Sequence, residues 1–193
     1  MSCQFGNGHV KTTFSFLKTT ISVHIRTGTP DDMPAVLELI RELAVFEREP
    51  DAVVVTVDDL VRDGFSDSPL FHTFVAEEDG TIIGMALYYY RYSTWKGKTL
   101  HLEDLIVRES QRGSGAGSAL YAAVIQQGKR EGVRRIEWAV LDWNAPAITF
   151  YEKSGARVFS NWRVAQMDEA GIRAFCERTE RLRHEVEKTN DNQ

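Results

Sequence analysis

The 193 residues contain only two cysteines, Cys3 and Cys176. Two distant thiols build neither a disulfide framework nor a zinc pattern, so a reducing, cytoplasmic compartment is expected. No apolar run approaches the ~20 residues of a membrane-spanning helix, and no membrane partner is expected. Positive charge is also in short supply: 23 Lys and Arg face 28 Asp and Glu, for a formal net charge of -5. Such a chain is poorly suited to gripping nucleic acid and better suited to drawing in small cations. Its histidines, His9, His24, His72, His101 and His184, are scattered without ligand spacing, so no metal is expected. Repeats, low-complexity segments and domain linkers are missing too.

What is present is a globular composition. Hydrophobic residues make up 42% and charged residues 26%, which excludes a disordered chain. The length favours one sizeable core. Residues 1–23 stand apart, with no acid and many Ser and Thr. Lys18 interrupts any secretory apolar stretch. An organellar transit segment, a flexible extension and a start codon placed too early all fit, so the extension is set aside from the fold.

Regular structure is expected over 24–167. His24–Arg26 reads as a short strand. Thr29-Pro30-Asp31-Asp32 reads as a helix start, with a capping hydroxyl, a first-turn proline and acids against the helix dipole. Val36, Leu39, Ile40, Leu43 and Phe46 follow at helical spacing. Thr56–Gly64 reads as a second, short helix. Phe71–Ala76, Thr81–Tyr92 and Thr99–Val107 read as strands, the first two joined by an Asp79-Gly80 turn, and their short connections imply antiparallel neighbours. A helix over Ser118–Arg130, a strand over Arg135–Leu141, a helix over Asn144–Ser154 and a strand over Ala156–Met167 complete a mixed α/β sheet. Residues 168–193 form a charged tail, expected as a peripheral helix.

The strongest chemical signal is Gln111-Arg112-Gly113-Ser114-Gly115-Ala116-Gly117-Ser118. Alternate glycines let a backbone turn tightly and present its N–H groups at a helix N-terminus, where phosphate is favoured. Arg112 adds a full charge. A nucleoside-triphosphate loop would end Gly-Lys-Ser/Thr, and a dinucleotide loop would read G-x-G-x-x-G in an opening βαβ unit; this loop does neither. A plain strand-to-helix turn would explain one glycine, but not three beside an arginine.

Arg112-x-x-Gly115-x-Gly117 resembles the acetyl-CoA pyrophosphate motif of the Gcn5-related N-acetyltransferases, the GNAT superfamily, and the order of elements from Ile25 to Met167 resembles that fold. Glu103-Asp104-Leu105-Ile106-Val107, Trp143-Asn144-Ala145-Pro146 and Phe150-Tyr151 resemble the spermidine/spermine N-acetyltransferase group. Tyr92-Ser93-Thr94-Trp95-Lys96-Gly97 and Ala139–Asn144 are similar to its thialysine-acetylating branch. The resemblance implies a central, mostly antiparallel sheet with splayed strands flanked by helices. It also implies acetyl transfer from acetyl-CoA, with CoA as product, to a small cationic amine, and a homodimer.

Residue roles follow from the same resemblance. Glu103 contacts the amine and accepts its proton. Tyr151 protonates the CoA sulfur. Backbone groups of Leu105, Ile106 and Val107 hold the pantetheine arm and the acetyl carbonyl. Residues Arg112, Gly113, Ser114, Gly115, Ala116, Gly117 and Ser118 cradle the pyrophosphate. Asn144, Ala145, Pro146, Ala147 and Lys153 touch CoA, although a cap for Asn144 and a solvated amine for Lys153 are the blander readings. Phe46, Glu47, Trp95, Asp104 and Asp142 are assigned to substrate beside Glu103. Strand alternation sends Glu103 and Asp104 to opposite faces unless a bulge intervenes; solvent is the simple reading for Asp104. Polyamine-preferring relatives carry Asp-Pro where this chain has Ser93-Thr94, so lysine-like amines are expected over long polyamines. Three other classes remain in competition: a non-catalytic CoA sensor, a protein lysine or N-terminal acetyltransferase, and a nucleotide-binding oxidoreductase.

Overall fold

The computed structural model describes residues 23–190; Cys3, His9 and the remainder of the N-terminal extension, with residues 191–193, lie outside them. The described residues divide into two units, one ending at Leu141 and the other beginning at Asp142.

In the first unit the chain enters through β1 (His24–Thr27) and turns at Thr29. The Asp32 carboxylate accepts from the Thr29 amide at 2.8 Å and from Arg26 at 2.6 and 2.8 Å, which fixes the turn leading into α1 (Met33–Phe46). Thr56 caps α2 (Val57–Gly64) by accepting from the Asp59 amide at 3.2 Å. Then come β2 (His72–Glu78), β3 (Thr81–Ser93) and β4 (Gly97–Val107). Asp79 and Gly80 both take positive φ, 49° and 77°, the geometry that matches a hairpin turn to strand twist. α3 (Ala116–Arg130) and β5 (Ile136–Glu137) follow.

The five strands lie in the order β1-β2-β3-β4-β5, antiparallel except for the parallel β4–β5 pair. One sheet face packs on α1 and α2 through Met33, Val36, Leu39, Leu60, Val75, Met85, Leu87 and Ile106. The other faces α3. There Gly84 is needed for close approach: a Cβ would meet the Ile106 carbonyl at 2.7 Å and Leu120 at 3.2 Å. Arg108 pins the end of β4 to α1. It bonds the Glu38 carboxylate at 2.8 Å and Glu42 as well, and it donates to the Ile82 carbonyl.

Two expected strands differ. Arg135–Leu141 shortens to Ile136–Glu137, because only Leu100 and His101 of β4 stand opposite it. Ala156–Met167 forms no strand: Val158, Trp162 and Val164 alternate as a strand would, but no strand pairs with them. Consequently no strand among the described residues pairs with the β5 side of Leu102–Val107.

The second unit carries α4 (Ala145–Lys153) and α5 (Glu169–Asn190). Gly155 at φ 95° ends α4, and Asp168 opens α5 by accepting from the Gly171 amide at 2.7 Å. Among the described residues no helix is long and apolar enough to cross a membrane.

Candidate active site

The glycine loop lies between Arg108 and α3. Gly113 and Gly115 have φ of 84° and 90°, a region that costs an L side chain about 1–2 kcal/mol. A Cβ at either would meet no protein atom within 4 Å. Backbone conformation therefore demands glycine here, and the space above the loop is open. Ser114 turns inward, its Oγ accepting from the Ala116 amide at 3.3 Å. The first ladder bond of α3 runs from the Ala119 amide to the Gly115 carbonyl, so Gly117 and Ser118 sit in the turn whose amides lack intrahelical partners. These open amides at a helix N-terminus, with an arginine alongside, fit a diphosphate.

Arg112 does more than offer charge. Its guanidinium lies 5.3 Å from the centre of the Phe46 ring, a cation–π contact between the loop and the end of α1. A groove of about 570 Å³ opens here, lined by Glu42, Phe46, Arg108 and Arg112 among others. Glu47 follows directly on Phe46, and its desolvation pushes its carboxyl above the usual range.

The acidic pair on β4 is set by a bulge. Leu87 faces Asp104 and Tyr88 faces Leu102, which leaves Glu103 as the extra residue. The inserted residue resets the alternation. Glu103 and Asp104 consequently share the α1 face. Glu103 lies 3.5 Å from His101 Nε2, and Asp104 sits opposite Leu87 at the edge of the core cluster. Burial, followed by the charges of Glu103 and Glu47, pushes Asp104 up to about 6. Solvent is thus not its environment. The charges of Glu103 and Glu47 both act on Asp104 here, and a negative region of this kind suits an alkylammonium group.

Tyr89 and His101 escaped sequence reasoning. Their rings lie 5.1 Å apart, tilted by 35°, with His101 Nε2 beside Glu103. Burial and then Glu103 raise the Tyr89 hydroxyl, while burial lowers the His101 imidazole. Only the bulge, invisible in a single sequence, brings them to the carboxylates.

Other assigned residues are placed as follows. Leu105 and Val107 are half-buried and Ile106 is in the core. Trp95 is 80% exposed at the β3–β4 turn, where its amide donates to Ser93 Oγ at 3.3 Å. In the second unit Asn144 caps α4, accepting from the Ala147 amide at 3.3 Å, with Ala145 and Pro146 in the first turn. Tyr151 is buried, whereas Asp142 and Lys153 are exposed.

The glycine loop that opens the crossover helix fits a diphosphate-bearing ligand, and the carboxylates on the adjoining strand fit a cation. The profile of the acetyltransferase (GNAT) family matches residues 33–156, and the chain belongs to that family. It is 38% identical to the thialysine N-epsilon-acetyltransferase of Sus scrofa, over 70% of this chain and 85% of that protein. It is 36% identical to the Caenorhabditis elegans enzyme of the same name, over 79% and 96%. The L-ornithine N5-acetyltransferase NATA1 of Arabidopsis thaliana is 30% identical, over 78% of this chain and 86% of that one. Among solved structures, a Vibrio cholerae integron cassette protein superposes with TM-score 0.67 at 21% identity, covering 80% of this chain and 98% of that one.

Proposed function

We propose that the protein transfers the acetyl group of acetyl-CoA to the primary amine of a small cationic substrate, lysine-like or a diamine. The observation that carries this reading is the bulge that gathers Glu103 and Asp104 on one face beside Glu47. Relatives named for thialysine and L-ornithine acetylation support it.

Acetyl-CoA supplies an activated thioester carbonyl. The amides of Gly113–Ser118 and the Arg112 guanidinium hold its diphosphate, and the open edge of β4 at Leu105–Val107 offers main-chain bonds to its arm. Asn144, Ala145, Pro146, Ala147 and Lys153 complete the cofactor contacts. The incoming amine arrives as an ammonium ion with a pKa near 10.4, so it must lose a proton before it attacks. Glu47, Asp104 and Glu103 attract that cation, with Phe46, Trp95 and Asp142 as further substrate contacts. Glu103 takes the proton, directly or through water, and the raised carboxyl of Asp104 beside it makes the pair a better acceptor than an exposed acid. The nitrogen then bonds to the carbonyl carbon and sheds its second proton as the carbon–sulfur bond breaks; Tyr151 gives its proton to the departing thiolate, and the second nitrogen proton, carried by solvent, restores the Tyr151 hydroxyl.

A homodimer in the cytoplasm completes the reading. The exposed Phe159, Trp162, Val164, Phe175 and Leu182 of the second unit support self-association, and the sparse cysteines support a reducing compartment.

The test is acetyl-CoA turnover across thialysine, lysine, putrescine and spermidine. Turnover is expected, with kcat/KM higher for thialysine than for spermidine. Acetylation of proteins with no small amine accepted would overturn the reading. Tyr151→Phe should lower kcat at least tenfold while acetyl-CoA affinity stays within twofold.

A further inference from the structure

Beyond Glu103 the same sheet face changes sign. Tyr89, His101 and Glu137 form one row across β3, β4 and β5. From β3, Arg91 reaches over to Glu137 at 2.6 Å, and Arg135 meets the same carboxylate at 2.8 Å. Two guanidinium groups thus share one acid, leaving a net positive charge beside the negative region. The Glu137 carboxylate is engaged on both oxygens, Oε1 by Arg91 and Oε2 by Arg135. Next to it in the row, His101 Nδ1 is buried without a hydrogen bond, and since buried polar atoms are normally paired this nitrogen marks a place open to a polar ligand.

Charge and spacing identify that ligand. Asp104 stands opposite Leu87, and the His101 row is two β3 residues further on, about 7 Å along the strand. A lysine-length amino acid has its terminal ammonium and its carboxylate at such a separation. We propose that Arg91, with Arg135 and Glu137, forms a subsite for the α-carboxylate of an amino-acid substrate whose terminal amine is drawn by Glu103, Asp104 and Glu47. Arg91 is the specificity residue. It is the more exposed arginine, and its planar fork matches a carboxylate in two places. Glu137 orients the fork and faces the α-ammonium group. A polyamine would instead bring a second ammonium against the surplus guanidinium charge. This inference rests on the amine acetyltransferase reading and deepens it.

The test uses matched substrates on the full chain: thialysine, its carboxamide, and bis(2-aminoethyl) sulfide, which is thialysine without the carboxylate. The wild type is expected to favour thialysine over both others at least tenfold in kcat/KM, mainly through KM. Arg91→Gln should raise KM for thialysine at least tenfold, keep kcat within twofold, and leave the diamine unchanged; Arg91→Lys should recover part of the loss. Equal wild-type use of thialysine and its carboxamide, which needs no variant, would overturn the subsite. So would an Arg91→Gln loss shared equally by thialysine and the diamine. Failure to acetylate any of the three would sink the acetyltransferase reading itself.

Discussion

Asp32 and Asp104 are both carboxylates withdrawn from water, and they respond to pH in opposite ways. Arg26 hydrogen bonds hold Asp32 below the usual range against the cost of its burial. Its contribution to stability is therefore present above the ordinary carboxylate pKa and disappears on acidification through the lowered one. Asp104 has no such partner, and burial lifts it to about 6 from 3.8. Its contribution is full below the unfolded value near 3.8 and is lost as pH rises through about 6. Asp104→Asn cannot ionise, so it should stabilise the ligand-free protein by about 1–2 kcal/mol at pH 8 and by nothing measurable at pH 4. Melting curves across that range check this. The same variant should raise KM for the amine at least tenfold, because the group that destabilises the empty site is the one that attracts the cation. Asp32→Asn should do the reverse, costing about 2 kcal/mol at neutral pH with no change in KM.

Among the elements, the loop into α3 separates conformational glycines from ligand glycines. Gly115→Ala forces a side chain into left-handed backbone and should cost about 1–2 kcal/mol besides weakening acetyl-CoA binding. Gly117→Ala introduces a Cβ at an ordinary 3.6 Å from Val107 and needs no unusual φ. Its melting temperature should stay within a degree or two of wild type. A tenfold or greater loss of acetyl-CoA affinity in this variant, read by calorimetry, would place the ligand against the first turn of α3; unchanged affinity would remove Gly117 from the cradle. The glycine spacing in the sequence announced this loop, since positive φ and an open helix end are local properties. The bulge on β4 was not announced. Glu103-Asp104 reads as simple alternation until β3 sets the register, and that register turns a split pair into a single site.

For the whole molecule the decisive quantity is how much apolar surface remains exposed. Phe159, Trp162, Val164 and Phe175 of the second unit are exposed, as are Val54, Leu70, Tyr92 and Trp95 of the first. Light scattering at micromolar concentration should give twice the chain mass of 21.9 kDa, and a monomer at that concentration would contradict the dimer. Saturating acetyl-CoA, at a hundredfold its Kd, should add about 2.7 kcal/mol to stability, and Tyr151→Phe should not reduce this gain.

By itself the sequence determined the helices, the three long strands, the glycine loop and the residue types of the site. Each depends on a local rule: a cap, a period of 3.6 or 2, a turn that needs positive φ. Tertiary structure alone decided which expected strands found partners. Arg135–Leu141 shrank to two residues and Ala156–Met167 to none, because a strand exists only where another backbone supplies its hydrogen bonds. It also decided which charges meet. Arg91 and Glu137 are far apart in the chain, and so are Glu47 and Asp104, yet each pair interacts across the folded sheet. Long-range electrostatics follow from register and packing, which no window of sequence contains.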